Sequence, residues 1–220
     1  MVESFITMDF QSEIIGRNLP ILFSATFTTI TITFAAFFVA LLIAISVGMI
    51  RRYYQQSVIS TILGVYIEIF RGTPLLVQLF FIYYGLPSVG IILNAFTAGV
   101  IGLALNSAAY MSETIRAAMI SIPRGQEEAA YSLGFSRFQT IRYIVFPQAI
   151  RVAIPPMMNS FSSLLKDSSL VSVISITELT RVGNLIYSRT SRPFEIYLTL
   201  GIFYFVMTFS ITLISRYLEK

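Results

Sequence analysis

Between Ile21 and Ile50 no side chain carries a charge. An α-helix needs about 20 predominantly apolar residues to cross the hydrocarbon of a bilayer. This run exceeds that and can cross with tilt. It stops at Arg51 and Arg52, a basic stop of the kind found on the cytoplasmic side. The first segment therefore predicts a transmembrane helix with the N-terminus outside.

The remaining chain repeats the theme. Of its 220 residues 55% are hydrophobic and 12% charged, about half the charged share of a soluble domain. Mean hydropathy is +0.77. A second apolar stretch covers about 57–84 and is interrupted by Glu68, Arg71, Gly72 and Pro74. An uncharged linker, 85–94, leads to a third span at about 95–119, which ends near Arg116. A fourth stretch covers about 149–165, and the last span, about 194–214, ends at Arg216 and Lys220. The polar segment 166–192 contains a hydrophobic piece, 170–176, too short to span and readable as re-entrant. The fold class is thus all-α polytopic membrane protein with about five transmembrane helices, one domain over 1–220, and no room for a second globular unit.

The residues that are missing also limit the chemistry. Cysteine and histidine are absent, which removes disulfides, thiolate metal sites and the commonest general base. Tryptophan is absent too, so an interfacial belt rests on the 12 tyrosines. The net charge of +4 is explained by basic residues held on the cytoplasmic side and calls for no nucleic acid. Glu3, Asp9 and Glu13 stand where a signal peptide would be basic.

The segment 120–147 is of another kind: mixed, polar and basic, with Arg124, Arg137 and Arg142. Within it, EEAAYSLGFSRFQTIRYIVFP (Glu127 to Pro147) predicts a short helix. Glu127 suits the positive end of its dipole, Ala129 and Ala130 are small, and Gly134 reads as its stop. Such a helix can be a knob for a partner's groove, or it can lie flat on the membrane surface. The spacing Glu128-Ala129-Ala130, Gly134, Ile144, Pro147 resembles the coupling-loop signature of ABC importer permeases, with Phe146 where leucine is usual. The stretch from Tyr66 to Pro87 (YIEIFRGTPLLVQLFFIYYGLP) looks like the second-span signature of the polar amino acid permeases. NSAAYMSETIRAA and LLKDSSLVSVISITEL are similar to their third and fourth signatures.

That resemblance implies a type I ABC importer permease fold in a bacterial inner membrane. It implies a permease pair, of two copies or of this chain with a paralogue, on two cytoplasmic ATPase subunits. An extracytoplasmic binding protein would deliver the solute, and ATP with magnesium would bind to the ATPase, this chain holding no cofactor. Residues Glu127, Glu128, Ala129, Ala130, Gly134 and Pro147 would couple to that ATPase. The stretch LIYSRTSRPFEIYL looks like permeases of the cystine type.

Ionisable groups inside a span mark function or pairing, and three places qualify. Glu68 and Arg71 lie three apart on one helix face and can pair, with Thr73 as cap and Pro74 as first residue of a restarted helix. Asn106, Tyr110 and Glu113, with Ser107 beside them, form a polar stripe on the third span. Lys166, Asp167 and Ser168 could recognise the two ends of a zwitterion, or Lys166 could simply snorkel to the interface. Each place serves equally as solute site or as helix packing. Two rival functions remain at this level. Lys166 with Ser162, Ser163 or Ser169 could form a Ser–Lys hydrolase dyad, or the bundle could be a passive channel. No phosphate-binding glycine loop is present, so the chain is expected not to hydrolyse ATP.

Overall fold

A computed structural model describes residues 11–218; Glu3, Asp9 and Lys220 lie outside the described residues. Helix α1, Ser12–Tyr53, is the long apolar run extended at both ends. At 1.5 Å per residue its 42 residues reach about 63 Å, roughly twice the hydrocarbon thickness. Several of its hydroxyl groups are satisfied along the helix itself. Thr26, Thr31, Thr33 and Ser46 each donate to the carbonyl four residues earlier at 2.7–2.9 Å, which satisfies them inside the helix as a membrane demands.

Two helices are then broken. Helix α2, Val58–Gly72, starts at an Ser57 cap that accepts from the Ser60 amide. It is followed at a sharp bend of 108° by α3, Leu75–Phe80, which continues through a π turn at Phe81–Gly85 and a 3-10 turn at Leu86–Val89. Helix α4, Ala95–Ile120, is unbroken and capped by Asn94. The short helices α5, Arg124–Ser132, and α6, Arg137–Thr140, follow. Helix α7, Phe146–Asp167, extends as a 3-10 segment through Ser168–Ile174, and α8, Leu179–Thr190, turns away by 53°. Helix α9, Pro193–Leu218, closes the bundle. Three helices are long and apolar enough to cross a membrane, or five crossings if each bent pair is one span, in line with the expectation of about five.

The end of the bundle differs from the sequence reading. The fourth span does not begin after a loop at 149. The helical path starts at Arg137 and passes through a π turn at Ile141–Val145 straight into α7. Pro147 follows the π turn by two residues, in the first turn of α7. Most of the hydrophobic piece 170–176 is continuous with α7 as a 3-10 segment through Ile174, ahead of the bend into α8. Ser175, with a positive φ of 69°, turns the chain.

The core forms where small residues let helices touch. On α1, Ala36, Ala40, Ala44 and Gly48 recur every four residues and are buried, the spacing that places them on one face. They pack with Ala104, Ala108 and Met111 of α4 and with Ala149 and Ala153 of α7. Tight helix contacts of this type drive association where lipid removes the hydrophobic gain. A Cβ on Gly48 would lie 2.9 Å from the Ser112 carbonyl oxygen, a backbone atom that cannot swing aside. Gly48→Leu should therefore force α1 off α4 and lower stability by about 1–3 kcal/mol. The midpoint of thermal unfolding in detergent measures this, and an unchanged midpoint would mean the crossing is looser than described. A second cluster joins α1 to α8 and α9 through Leu22, Ala25, Leu179, Val182 and Leu200. Between these helices Glu178 is fully buried. It accepts the Thr180 and Arg181 amides at 2.9 and 2.7 Å and the Tyr204 hydroxyl at 3.0 Å, capping α8.

Candidate functional site

The break between α2 and α3 is dictated by Pro74. Proline lacks an amide hydrogen and pushes the residue before it out of helical backbone. Thr73 is accordingly extended (φ −119°, ψ 146°), and so is Pro74 (φ −64°, ψ 135°). The expectation that Thr73 caps the new helix is corrected here. Pro74 itself stands at the cap position, and the Thr73 hydroxyl points back to donate to the Ile69 carbonyl at 2.8 Å.

A broken helix leaves carbonyls without partners, and two amide side chains meet them. Buried Gln78 holds its Nε2 2.9 Å from the Phe70 carbonyl, 3.0 Å from that of Thr73 and 2.8 Å from the Thr73 hydroxyl. Asn106 of α4 donates to the same Phe70 carbonyl at 3.1 Å and to Gln78 Oε1 at 3.0 Å. Asn106 thus has a structural duty that its place in a polar stripe did not reveal, and Gln78 was not singled out at all.

Beside the break lies a cavity of about 700 Å³. Of the candidate residues it gathers Arg71, Asn106, Ser107, Tyr110 and Asp167. Helix α7 adds Asn159, Ser160 and Ser163. Their signal was present in the sequence: Asn159, Ser163 and Asp167 recur every four residues along a span. The Arg71 guanidinium lies over the Tyr110 ring at 5.2 Å, a cation–π contact that aims it. The Tyr110 hydroxyl is 3.5 Å from the Arg71 carbonyl. One planar cation and one carboxylate therefore border the same space, with amides and hydroxyls between. A guanidinium fits a carboxylate in a bidentate fork, and a carboxylate accepts from an ammonium.

Four candidates lie elsewhere. Glu68 is exposed and, among the described residues, makes no ion pair with Arg71, because the Arg71 side chain turns to Tyr110. Lys166 is exposed and is not among the residues that line the cavity. No hydrogen bond among the described residues joins it to Ser162, Ser163 or Ser169, so the hydrolase dyad is not assembled. Ser168 is buried and donates to the Leu165 carbonyl at 2.7 Å. Glu113 sits toward the basic end of α4, where it bridges Arg51 of α1 and Arg116, the latter at 2.7 Å. It is a clamp between spans. Glu113→Lys would bring a third cation against two, and breaking such a partly buried network costs about 3 kcal/mol. Loss of folded, monodisperse permease is the expected result. A normal unfolding midpoint with uptake abolished would return Glu113 to the solute path.

The segment assigned to coupling forms a braced corner. Helix α5 ends at Leu133, and Gly134, at φ 81°, lets the Phe135 amide reach back to the Ala130 carbonyl at 3.1 Å. Ser136 and Gln139 then make a capping box that opens α6. The corner is tied to the end of α1: Arg52 pairs with Glu127 at 3.1 Å, and Arg137 donates to the Tyr53 carbonyl. Glu128 and Ala129 are exposed, Ala130 is buried, and Leu133 and Phe138 are 78% and 74% exposed. Of the two alanines only Ala129 faces outward. Pro147 lies exposed in the first turn of α7.

A helical bundle with a broken span, a polar cavity at the break and a braced corner outside the spans defines a membrane carrier subunit. The chain belongs to the family described as binding-protein-dependent transport system inner membrane component, which matches residues 40–220. It is the membrane-spanning permease subunit of an ABC importer, a multi-pass component of the inner membrane. It is 37% identical over 91% of its length to the L-cystine transport system permease protein TcyB of Bacillus subtilis (strain 168), covering 86% of that protein. It is 36% identical to the glutamine transport system permease protein GlnP of Escherichia coli (strain K12), over 97% of this chain and 98% of that one. A solved amino acid ABC transporter superposes at a TM-score of 0.86 with 40% identity, over 97% of this chain and 99% of that chain. The methionine ABC transporter MetNI, in inward-facing form, shares the fold at a TM-score of 0.71 with 19% identity.

Proposed function

We propose that this permease carries a zwitterionic polar amino acid through the cavity at the α2–α3 break. The observation that carries the reading is that Arg71 and Asp167 line one polar cavity. Arg71 would take the α-carboxylate and Asp167 the α-ammonium. The relatives named for cystine and glutamine agree with this, since both solutes carry those two groups. The basic groups Arg51, Arg52, Arg116, Arg124 and Arg137 collect at one end of the bundle with the α5 corner. The positive-inside rule makes that end cytoplasmic.

At that end α5 would dock a cytoplasmic ATPase, which binds and cleaves ATP with magnesium. The permease pairs with a second copy or a paralogue, and an extracytoplasmic binding protein delivers the solute. The test is uptake of radiolabelled amino acids into liposomes containing this chain with its ATPase and binding protein. ATP-dependent accumulation of cystine or glutamine, with glutamate carried poorly, is expected. Flux without ATP would establish a channel instead, and indifference to amino acids would remove the assignment.

A further inference from the structure

A second cavity, of about 640 Å³, lies between the end of α1, the turn at 54–57 and one face of α5. Arg52, Arg124 and Arg137 line it, against the single carboxylate of Glu127. That carboxylate is already engaged by Arg52, so the cavity keeps a positive excess. Among the described residues Arg124 has no ion-pair partner. The Arg137 guanidinium lies over the rings of Tyr53 and Tyr54 at 5.4 and 4.9 Å, held in place while its charge stays open to the cavity.

Two buried polar atoms here also lack a partner, Arg52 Nε and the Tyr53 hydroxyl. Buried polar groups are nearly always satisfied, and leaving one bare is unfavourable. Guanidinium N–H groups only donate, and a phenol readily donates. A concave site with a positive excess, lined by guanidinium groups from α1, α5 and α6, suits a ligand with several acceptor oxygens.

The depth of the site narrows the source. Arg52 stands two residues after Ile50, where the uncharged run ends, and tyrosines stand beside it. That is the headgroup level, where tyrosine rings settle and basic pockets between helices meet lipid phosphate. Nor does the site use the outward face of α5. Arg124, Glu127 and Tyr131, spaced three and four apart, share the face turned to α1, while Ala129 and Leu133 lie opposite.

We infer that this cavity binds a phosphate-bearing anion, supplied by the headgroup of an anionic membrane lipid. The phosphate bridges Arg124 of α5 to Arg52 and Arg137 and so braces the coupling corner against α1. The inference rests on the cytoplasmic orientation given above and is independent of which solute is carried.

Native mass spectrometry of the full-length chain in neutral detergent, titrated with phosphatidylglycerol, tests it. Arg124→Gln removes no ion pair or side-chain hydrogen bond among the described residues. At about the strength of one basic residue near an anionic surface, it should weaken phosphatidylglycerol binding about five-fold. Arg189→Gln, at the other end of the bundle, should leave binding unchanged. Equal binding by wild type and Arg124→Gln overturns the site. Displacement of the lipid by millimolar inorganic phosphate overturns the headgroup as source and identifies a free ion. Phosphatidylcholine binding as tightly as phosphatidylglycerol overturns the requirement for net negative charge.

Discussion

Ala129→Arg should abolish ATP-driven uptake while leaving the permease inserted and folded. Ala129 is exposed on the outward face of α5, so the new side chain meets solvent in the isolated chain and strains nothing. In the assembled transporter that face would lie in the ATPase groove. A bulky cation placed where two surfaces must close disturbs the centre of a packed contact, where single changes reach about 2–4 kcal/mol. Uptake should fall by about 30- to 1000-fold on that scale, and the ATPase should lose its stimulation by the binding protein. Gly134→Leu is a less clean test of docking, since Gly134 has a φ of 81° that a leucine adopts only under strain. If Ala129→Arg keeps normal uptake, α5 is not the coupling element, and the exposed Leu133 and Phe138 become the next candidates.

Arg71→Glu should be as damaging, for a different reason. It replaces the guanidinium at the α2–α3 break by a carboxylate in a cavity that Asp167 also lines. A carboxylate solute then meets two like charges. Losing an attraction that the solute needs and adding a like charge together cost about 2 kcal/mol or more. Uptake should fall by at least about 30-fold, with the ATPase complex still assembled, because among the described residues Arg71 braces no neighbouring helix by an ion pair. Arg71→Lys should restore part of the rate, having charge without the fork. Radiolabelled uptake and co-purification of the ATPase read both halves. Wild-type uptake by Arg71→Glu would move the solute away from this cavity.

Much of this architecture is legible because lipid makes the code simple. Uncharged runs of sufficient length must be helices, and Pro74 forces a break wherever the rest of the span goes. Gly134 announces the end of α5, and the capping box at Ser136 and Gln139 opens the next helix. What the sequence conceals is direction. Asn106, Tyr110 and Glu113 share one helix face, yet only the first two reach the cavity. Glu113 lies further along the helix, where Arg51 arrives from another span. Lys166 and Asp167 are neighbours, and on a helix neighbours diverge by about 100°, so one lines the cavity and the other leaves it. Gln78, Asn159 and Ser160 escape notice because an uncharged amide or hydroxyl in a span resembles ordinary packing until its partner is located, and Ser163 enters the sequence reading only as a candidate nucleophile.

The break in the second span also bears on the order in which the chain is made. Helix α2 has 15 residues, about 22 Å of helix, which is shorter than the hydrocarbon. The Phe70 carbonyl at its open end is met by Gln78 and by Asn106, the latter 36 residues downstream. Synthesis runs from the N-terminus, so α2 emerges before the groups that complete its end exist. Helix α4 must enter the bilayer before Asn106 can close that end. A chain halted before Asn106 would therefore hold the tip of α2 by Gln78 alone, one donor short of the two that meet the Phe70 carbonyl in the finished bundle.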